Sequence, residues 1–442
     1  MEIHRGDDPA STGERPRWLA PRPTVTDRGA GILFAVTLLA PSIQVTWGEG
    51  GVLYVAATGG LLLLGGASLH RGLAVKRPRA TFVALCALWV GWMLFSAIWS
   101  TSGTQYSEDI ILLLGILALV GLGGVVVSRA ASRQFMGWLL LGSIVSAVWV
   151  LFGYWTAGSL RGYDITIAEY YLVTAQLIGM GVLIALSRAL MGDRPLLWWP
   201  ICVLLGLGLA LSLARGALLL ALLLSVGMGM VSRPSLGETG GRAGGRLLRS
   251  VGRVLQSRLL IGVMIGGFAW VALSTALSVE RTAARMERLI SGAEVTREVG
   301  SRDWLWATSW ERILENPVLG SGLGSSGRVL GMPEGTYSHN LFLQVWVEGG
   351  IVGFLLLLGV VAYPATMALR HLKSGGRADP VFLTAFAMFL FLLGEHSKST
   401  SIYSGRGLFL LGLVLVAVVP GRPLPGRSGE SSGTGGSSWR IS

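Results

Sequence analysis

The chain has 442 residues, of which 52% are hydrophobic and only 14% charged, with a mean hydropathy of +0.61. A soluble chain carries about 25% charge and divides into domains of roughly 100–200 residues. Repeated apolar runs of about 20 residues, each able to cross ~30 Å of hydrocarbon, exclude that class here. The net charge of +12 lies mainly in arginines of short loops on one side, which marks membrane orientation rather than nucleic-acid binding.

Residues 1–29 are polar and Pro-rich and lack the apolar core of a signal peptide. They read as a disordered cytoplasmic lead. Apolar runs then begin near Gly31, Gly51, Thr81, Ile110, Phe135, Ile167, Leu196, Gly216, Leu259, Leu341, Val381 and Gly407. The expectation is an all-α, polytopic integral membrane protein of about twelve transmembrane helices with one large extracytoplasmic loop containing helices. Residues 30–278 hold the first nine helices, 279–340 the loop, 341–420 the last three helices, and 421–442 a disordered cytoplasmic tail. Cys86 and Cys202 lie within apolar runs and form no CxxC motif.

Alternate turns differ in charge. Those from Trp47 to Gly50, Ser100 to Asp109 and Ala157 to Thr166 hold only Arg161. The opposite turns hold Arg71, Lys76, Arg77, Arg79, Arg129, Arg133, Arg188 and Arg194, then a basic loop from Arg233 to Arg258. The basic side is assigned to the cytoplasm, with both termini there. The long loop escapes that rule, and its arginines need another reason.

Within the loop, Arg281, Arg285 and Arg288 recur at helical spacing on one face. A second amphipathic helix is expected over Arg302–Glu315, with Trp306, Trp310 and Ile313 on its apolar side and Asn316–Pro317 as its stop. Gly320–Gly327 must be irregular. The glycines there could admit an anion to the backbone, or simply shape a turn; no GK[ST] follows, so this is no nucleotide loop.

The order ENPVLGSGLGS, then SHNLFLQVWVEGGIVG, then a membrane helix, resembles the O-antigen ligase and O-antigen polymerase superfamily. IWS at Ile98–Ser100 and SLARGALL at Ser212–Leu219 look like further family features, with Ala214 where serine is common. The resemblance implies an integral membrane glycosyltransferase. It would move a glycan from undecaprenyl pyrophosphate to an acceptor hydroxyl on the periplasmic side of the bacterial inner membrane. In a ligase the acceptor is lipid A–core; in an O-antigen, capsule or exopolysaccharide polymerase it is another lipid-linked glycan. Membrane lipids are the other partners, and no nucleic acid, cofactor or metal is expected. A flippase or transporter of the same lipid-linked glycan is the alternative outside the class, and a structural assembly partner a third.

Such chemistry needs fixed cations for a diphosphate leaving group and a base for the acceptor proton. Of five histidines, His339 is the catalytic candidate; the bland reading is a histidine at a helix start. Arg215 is the first pyrophosphate ligand, with snorkelling as its bland reading. Arg288 and then Arg285 follow, against a basic helix resting on lipid headgroups. Asn340, Tyr337, Glu348 and Arg302 are weaker, supporting candidates. Asn340 suits a helix cap better than an orienting role. Glu348 could orient His339 or pair with an arginine. Arg302 and Arg312 could simply pair with Asp303, Glu311 or Glu315. Glu395, His396 and Lys398 read as interfacial anchors more than as acceptor ligands. Trp47, Trp99 and Trp155 fit an aromatic belt, and Trp304, Trp306 and Trp310 fit packing on the membrane better than sugar stacking. No DxD or DxE stands in an outer loop, so an inverting, metal-independent, arginine-based mechanism is expected.

Overall fold

The computed structural model describes residues 23–47, 50–70, 75–103, 105–157, 171–191, 195–212, 214–231, 266, 301–374, 379–399 and 405–419. All regular structure among them is helical. The helices are α1 (Val25–Trp47), α2 (Gly50–His70), α3 (Arg77–Ser96), α4 (Gln105–Val126), α5 (Arg129–Ala157) and α6 (Tyr171–Met191). They continue with α7 (Pro195–Leu211), α8 (Arg215–Val231), α9 (Arg302–Glu315), α10 (Leu341–Lys373), α11 (Pro380–Ser399) and α12 (Arg406–Val418). Every expected apolar run coincides with one of these except the run beginning at Leu259, which lies outside the described residues. So do Arg285, Arg288, the Arg233–Arg258 loop and the tail.

Six described helices are long and apolar enough to cross a membrane: α3, α4, α5, α6, α10 and α11. Shorter apolar helices occur at Ala56–His70, Leu197–Leu211, Arg215–Val231 and Arg406–Val418. The chain is thus a polytopic, all-helical membrane protein.

Local chemistry sets several helix starts. Thr24 and Asp27 cap α1 reciprocally: the Thr24 N–H donates to Asp27 at 2.9 Å and the Asp27 N–H to the Thr24 hydroxyl at 3.1 Å. That helix therefore begins inside the polar lead. Pro78 sits in the first turn of α3, where its missing N–H costs nothing. Cys86 and Cys202 are both free thiols. Deep in the bundle, Trp89 of α3 stacks on Phe409 of α12 with ring centres 5.0 Å apart.

One end of the bundle gathers basic groups. Arg129 at the start of α5 pairs with Asp379 just before α11. Arg79 donates to the carbonyls of Gly124 and Val127 at the end of α4. Tyr363 of α10 donates to the Pro78 carbonyl at 3.0 Å. The starts of α8, α10 and α12 and the ends of α3 and α11 lie at the other end, where the family-like residues collect.

Candidate active site

The site is built around a break in α10. Gly350 has φ +63° and ψ −168°, so the segment is two helices joined at one residue. Only glycine adopts that conformation readily. The break frees backbone groups that lipid could not satisfy. The loop after α9 takes them: the Ser321 N–H donates to the Val347 carbonyl and the Gly322 N–H to the Glu348 carbonyl, both at 2.8 Å. The Ile351 N–H returns a bond to the Pro317 carbonyl at 2.9 Å. The Gly-rich stretch is therefore a plug in a broken membrane helix, with the N–H groups of Ser321 and Gly322 already committed.

Glu348 locks the plug. Its carboxylate is fully buried and accepts from the Ser326 hydroxyl at 2.6 Å, the Gln344 amide at 3.1 Å and the Gly324 N–H at 3.2 Å. The segment after α3 closes the other side. The Ser100 hydroxyl donates to the Leu323 carbonyl at 2.6 Å, the Thr101 N–H to the Ser321 carbonyl, and Arg328 to the Thr101 carbonyl. Gly322 lies so close to Ser100 that a Cβ there would overlap the Ser100 backbone. The Ile98–Ser100 motif thus clamps the plug. The motif is recognisable in the sequence, but its role is not, because the two segments are far apart in the chain.

Helix α9 has the expected bounds. Ser301 caps it, accepting from the Trp304 N–H at 3.3 Å, and Asn316 ends it. The expected apolar side divides between the protein and the outer surface. Leu305, Ser309 and Ile313 point inward, whereas Trp306 and Trp310 are exposed. Trp310 meets Trp346 of α10 edge to face, with centres 5.7 Å apart. Arg312 pairs with Glu315 on the exposed face, as its sequence spacing suggests. Arg302 remains exposed at the start of the helix, and its charge acts on Tyr337, His339 and Glu395.

His339 precedes α10. It is the only non-glycine residue with positive φ among those described, at +53°. Such a conformation is uncommon outside glycine and marks a constrained position. The next residue explains part of the constraint: the Asn340 side chain caps α10, accepting from the N–H groups of Phe342 at 3.0 Å and Leu343 at 3.2 Å. The His339 ring lies 4.4 Å from that of Tyr337. Its Nδ1 is buried with no hydrogen-bond partner among the described residues. Burial, then the positive charge of Arg302, hold the imidazole below its ordinary value, opposed by a backbone hydrogen bond with Ser399. Burial pushes the Tyr337 phenol up, and Arg302 opposes that rise.

That Ser399 contact links His339 to the last turn of α11. In the same turn, Lys398 pairs with the fully buried Glu395 at 2.7 Å. The Lys398 ammonium also lies against Gly216, where a Cβ would overlap it. Gly216 follows Arg215, the first residue of α8. The last turn of α11 thus touches the residue after Arg215 through Lys398 and His339 through Ser399, with Arg302 acting on His339. Glu395 and His396 are buried rather than placed at an interface, which corrects the anchoring expectation. A helix end facing neighbours is not distinguishable in sequence from one facing headgroups. Among the described residues, no cluster of three or more His, Cys, Asp or Glu could hold a metal ion.

No curated protein matches the chain. A family model described as O-antigen ligase matches residues 200–358, from α7 to just beyond the break in α10, and so takes in Arg215, Tyr337, His339, Asn340 and Glu348. Over those residues, about a third of the chain, the protein is similar to the O-antigen ligase family.

Proposed function

We propose that the protein is a metal-independent, inverting glycosyltransferase that moves a glycan from undecaprenyl pyrophosphate to an acceptor hydroxyl. The observation that carries this is the setting of His339: a residue of positive φ whose imidazole Nδ1 is buried and has no hydrogen-bond partner among the described residues. Its depressed pKa keeps the ring neutral near pH 7 and able to accept a proton. The acceptor oxygen forms a bond to the sugar C1 while its proton passes to His339. The bond from C1 to the pyrophosphate oxygen breaks, and its electron pair leaves with the diphosphate. Arg215, with Arg288 and Arg285 from the loop, neutralises that growing charge; arginine is suited to this through its bidentate fork. A single displacement inverts C1.

Lipid A–core is the proposed acceptor, and a second lipid-linked glycan, as in a polymerase, is the alternative within the superfamily. The site faces the periplasm of the inner membrane in this reading, with both termini and the basic end of the bundle cytoplasmic and about twelve spans in all. A broken membrane helix also occurs in transporters. Here the break is filled by the chain's own loop, which favours a fixed site over a moving gate.

Purified protein is incubated with a lipid-pyrophosphate glycan and, separately, lipid A–core or a second lipid-linked glycan, with and without EDTA. A single transfer to lipid A–core that survives EDTA supports the ligase. A ladder on the lipid-linked acceptor favours the polymerase. No product with either acceptor refutes glycosyl transfer, and loss of turnover in EDTA refutes metal independence.

A further inference from the structure

We propose that Lys398, through its ion pair with Glu395, is a positioning residue that fixes His339 and Arg215 relative to one another across the last turn of α11. This rests on the glycosyl-transfer reading and adds two residues to it. Both lie beyond the residues matched by the family model.

Three neighbouring features of one turn carry the inference. The Lys398 ammonium sits 2.7 Å from the Glu395 carboxylate, which is fully buried. The same ammonium rests on the backbone of Gly216, so closely that no larger residue fits there without moving it. The next residue, Ser399, hydrogen-bonds through its backbone to the His339 imidazole. Lys398 therefore touches the start of the helix that bears Arg215, and its chain neighbour touches the proposed base. Arg302 acts on both His339 and Glu395, which adds a second electrostatic connection across the same turn.

The bland account is that Lys398 only complements the C-terminal dipole of α11 and neutralises a buried acid. A buried ion pair is weak evidence of stability, since a neutral pair of similar shape is often tolerated, whereas removing one partner leaves a costly buried charge. The two accounts therefore differ most clearly when both charges are removed together. If the pair only neutralises, a neutral pair preserves catalysis. If it sets geometry, the fold survives and the reaction suffers, because a displacement of about 1 Å at a reacting group can cost on the order of 10²-fold in rate.

The full-length protein is assayed for glycan transfer as the parent, as Glu395→Gln/Lys398→Met, as Gly216→Ala, and with all three changes. In the double variant the expected outcome is a folded protein with near-parental donor KM and a kcat lower by on the order of 10²-fold. Gly216→Ala, which displaces the ammonium, lowers kcat in the parent and adds little in the double variant. A parental kcat in the folded double variant overturns the proposal, as does a Gly216→Ala effect that multiplies fully with the double change. Should the double variant fail to fold, Gly216→Ala decides alone, and a parental kcat there overturns it. A parent that transfers no glycan defeats the functional reading itself and this inference with it, an outcome distinct from failure of the variants.

Discussion

The carboxylate of Glu348 and the hydroxyl of Ser326 meet at 2.6 Å where no solvent reaches, holding the Gly-rich plug in the break of α10. Glu348→Ala strips acceptors from Ser326, Gln344 and the Gly324 N–H together. Burying such groups unpaired lowers stability, here by on the order of 3 kcal/mol or more. Thermal unfolding in detergent reads the change. Glu348→Gln, which keeps one acceptor oxygen, falls between Glu348→Ala and the parent. A Glu348→Ala protein that unfolds at the parental temperature contradicts the locking role.

Gly350 is the second support of the plug. A Cβ there would overlap the Val318 carbonyl, and its φ of +63° is unfavourable for any other residue. Gly350→Ala therefore costs about 3 kcal/mol or more from strain and clash. Gly359, in the same helix, has open space where a Cβ would lie. Gly359→Ala is neutral or stabilising by up to about 1 kcal/mol. Equal unfolding temperatures for the two variants would count against a specific break at Gly350.

These supports show how much the sequence could convey. The apolar runs are legible because bilayer thickness fixes their length, and α9 is legible because its amphipathic pattern ends at Asn316–Pro317. Asn340 is legible through a capping rule, and His339 and Arg215 are singled out only by a resemblance. The apolar side of α9 is legible as such, but its division between protein and outer surface is not: Ile313 is buried while Trp306 and Trp310 are exposed, and helical period alone does not say which apolar residues meet protein. The roles of Glu348 and Ser100 depend on contacts across distant parts of the chain, which no local period encodes. The same holds for Glu395 and Lys398, whose burial and contacts depend on which helices pack around the end of α11.

The pH dependence of transfer follows from His339. Its pKa is depressed, by burial first and by Arg302 second. The base is active when deprotonated, so lowering the pKa extends activity to lower pH. The acid limb of kcat/KM, which reports the free enzyme, accordingly falls below 6.5, the ordinary histidine value. Arg302→Gln removes one lowering influence and moves that limb upward. A downward move, or none, in a folded variant contradicts the electrostatic link between Arg302 and His339.

Arg215 tests the phosphate side. Arg215→Lys keeps the charge and loses the planar fork, so transfer efficiency on the lipid-pyrophosphate donor falls by about 10- to 100-fold, the range for a lost charge-assisted bond. Unchanged donor kinetics in Arg215→Lys removes Arg215 from the site. The loop arginines Arg288 and Arg285 are tested in the same assay, with Arg288→Ala expected to have the larger effect.

The most direct test is the single-turnover rate of His339→Ala with saturating donor and acceptor, alongside a check that the variant folds. Loss of the proposed base lowers the rate by about 10²- to 10⁴-fold while donor binding persists. Transfer at the parental rate by folded His339→Ala would contradict the assignment of proton removal to this imidazole.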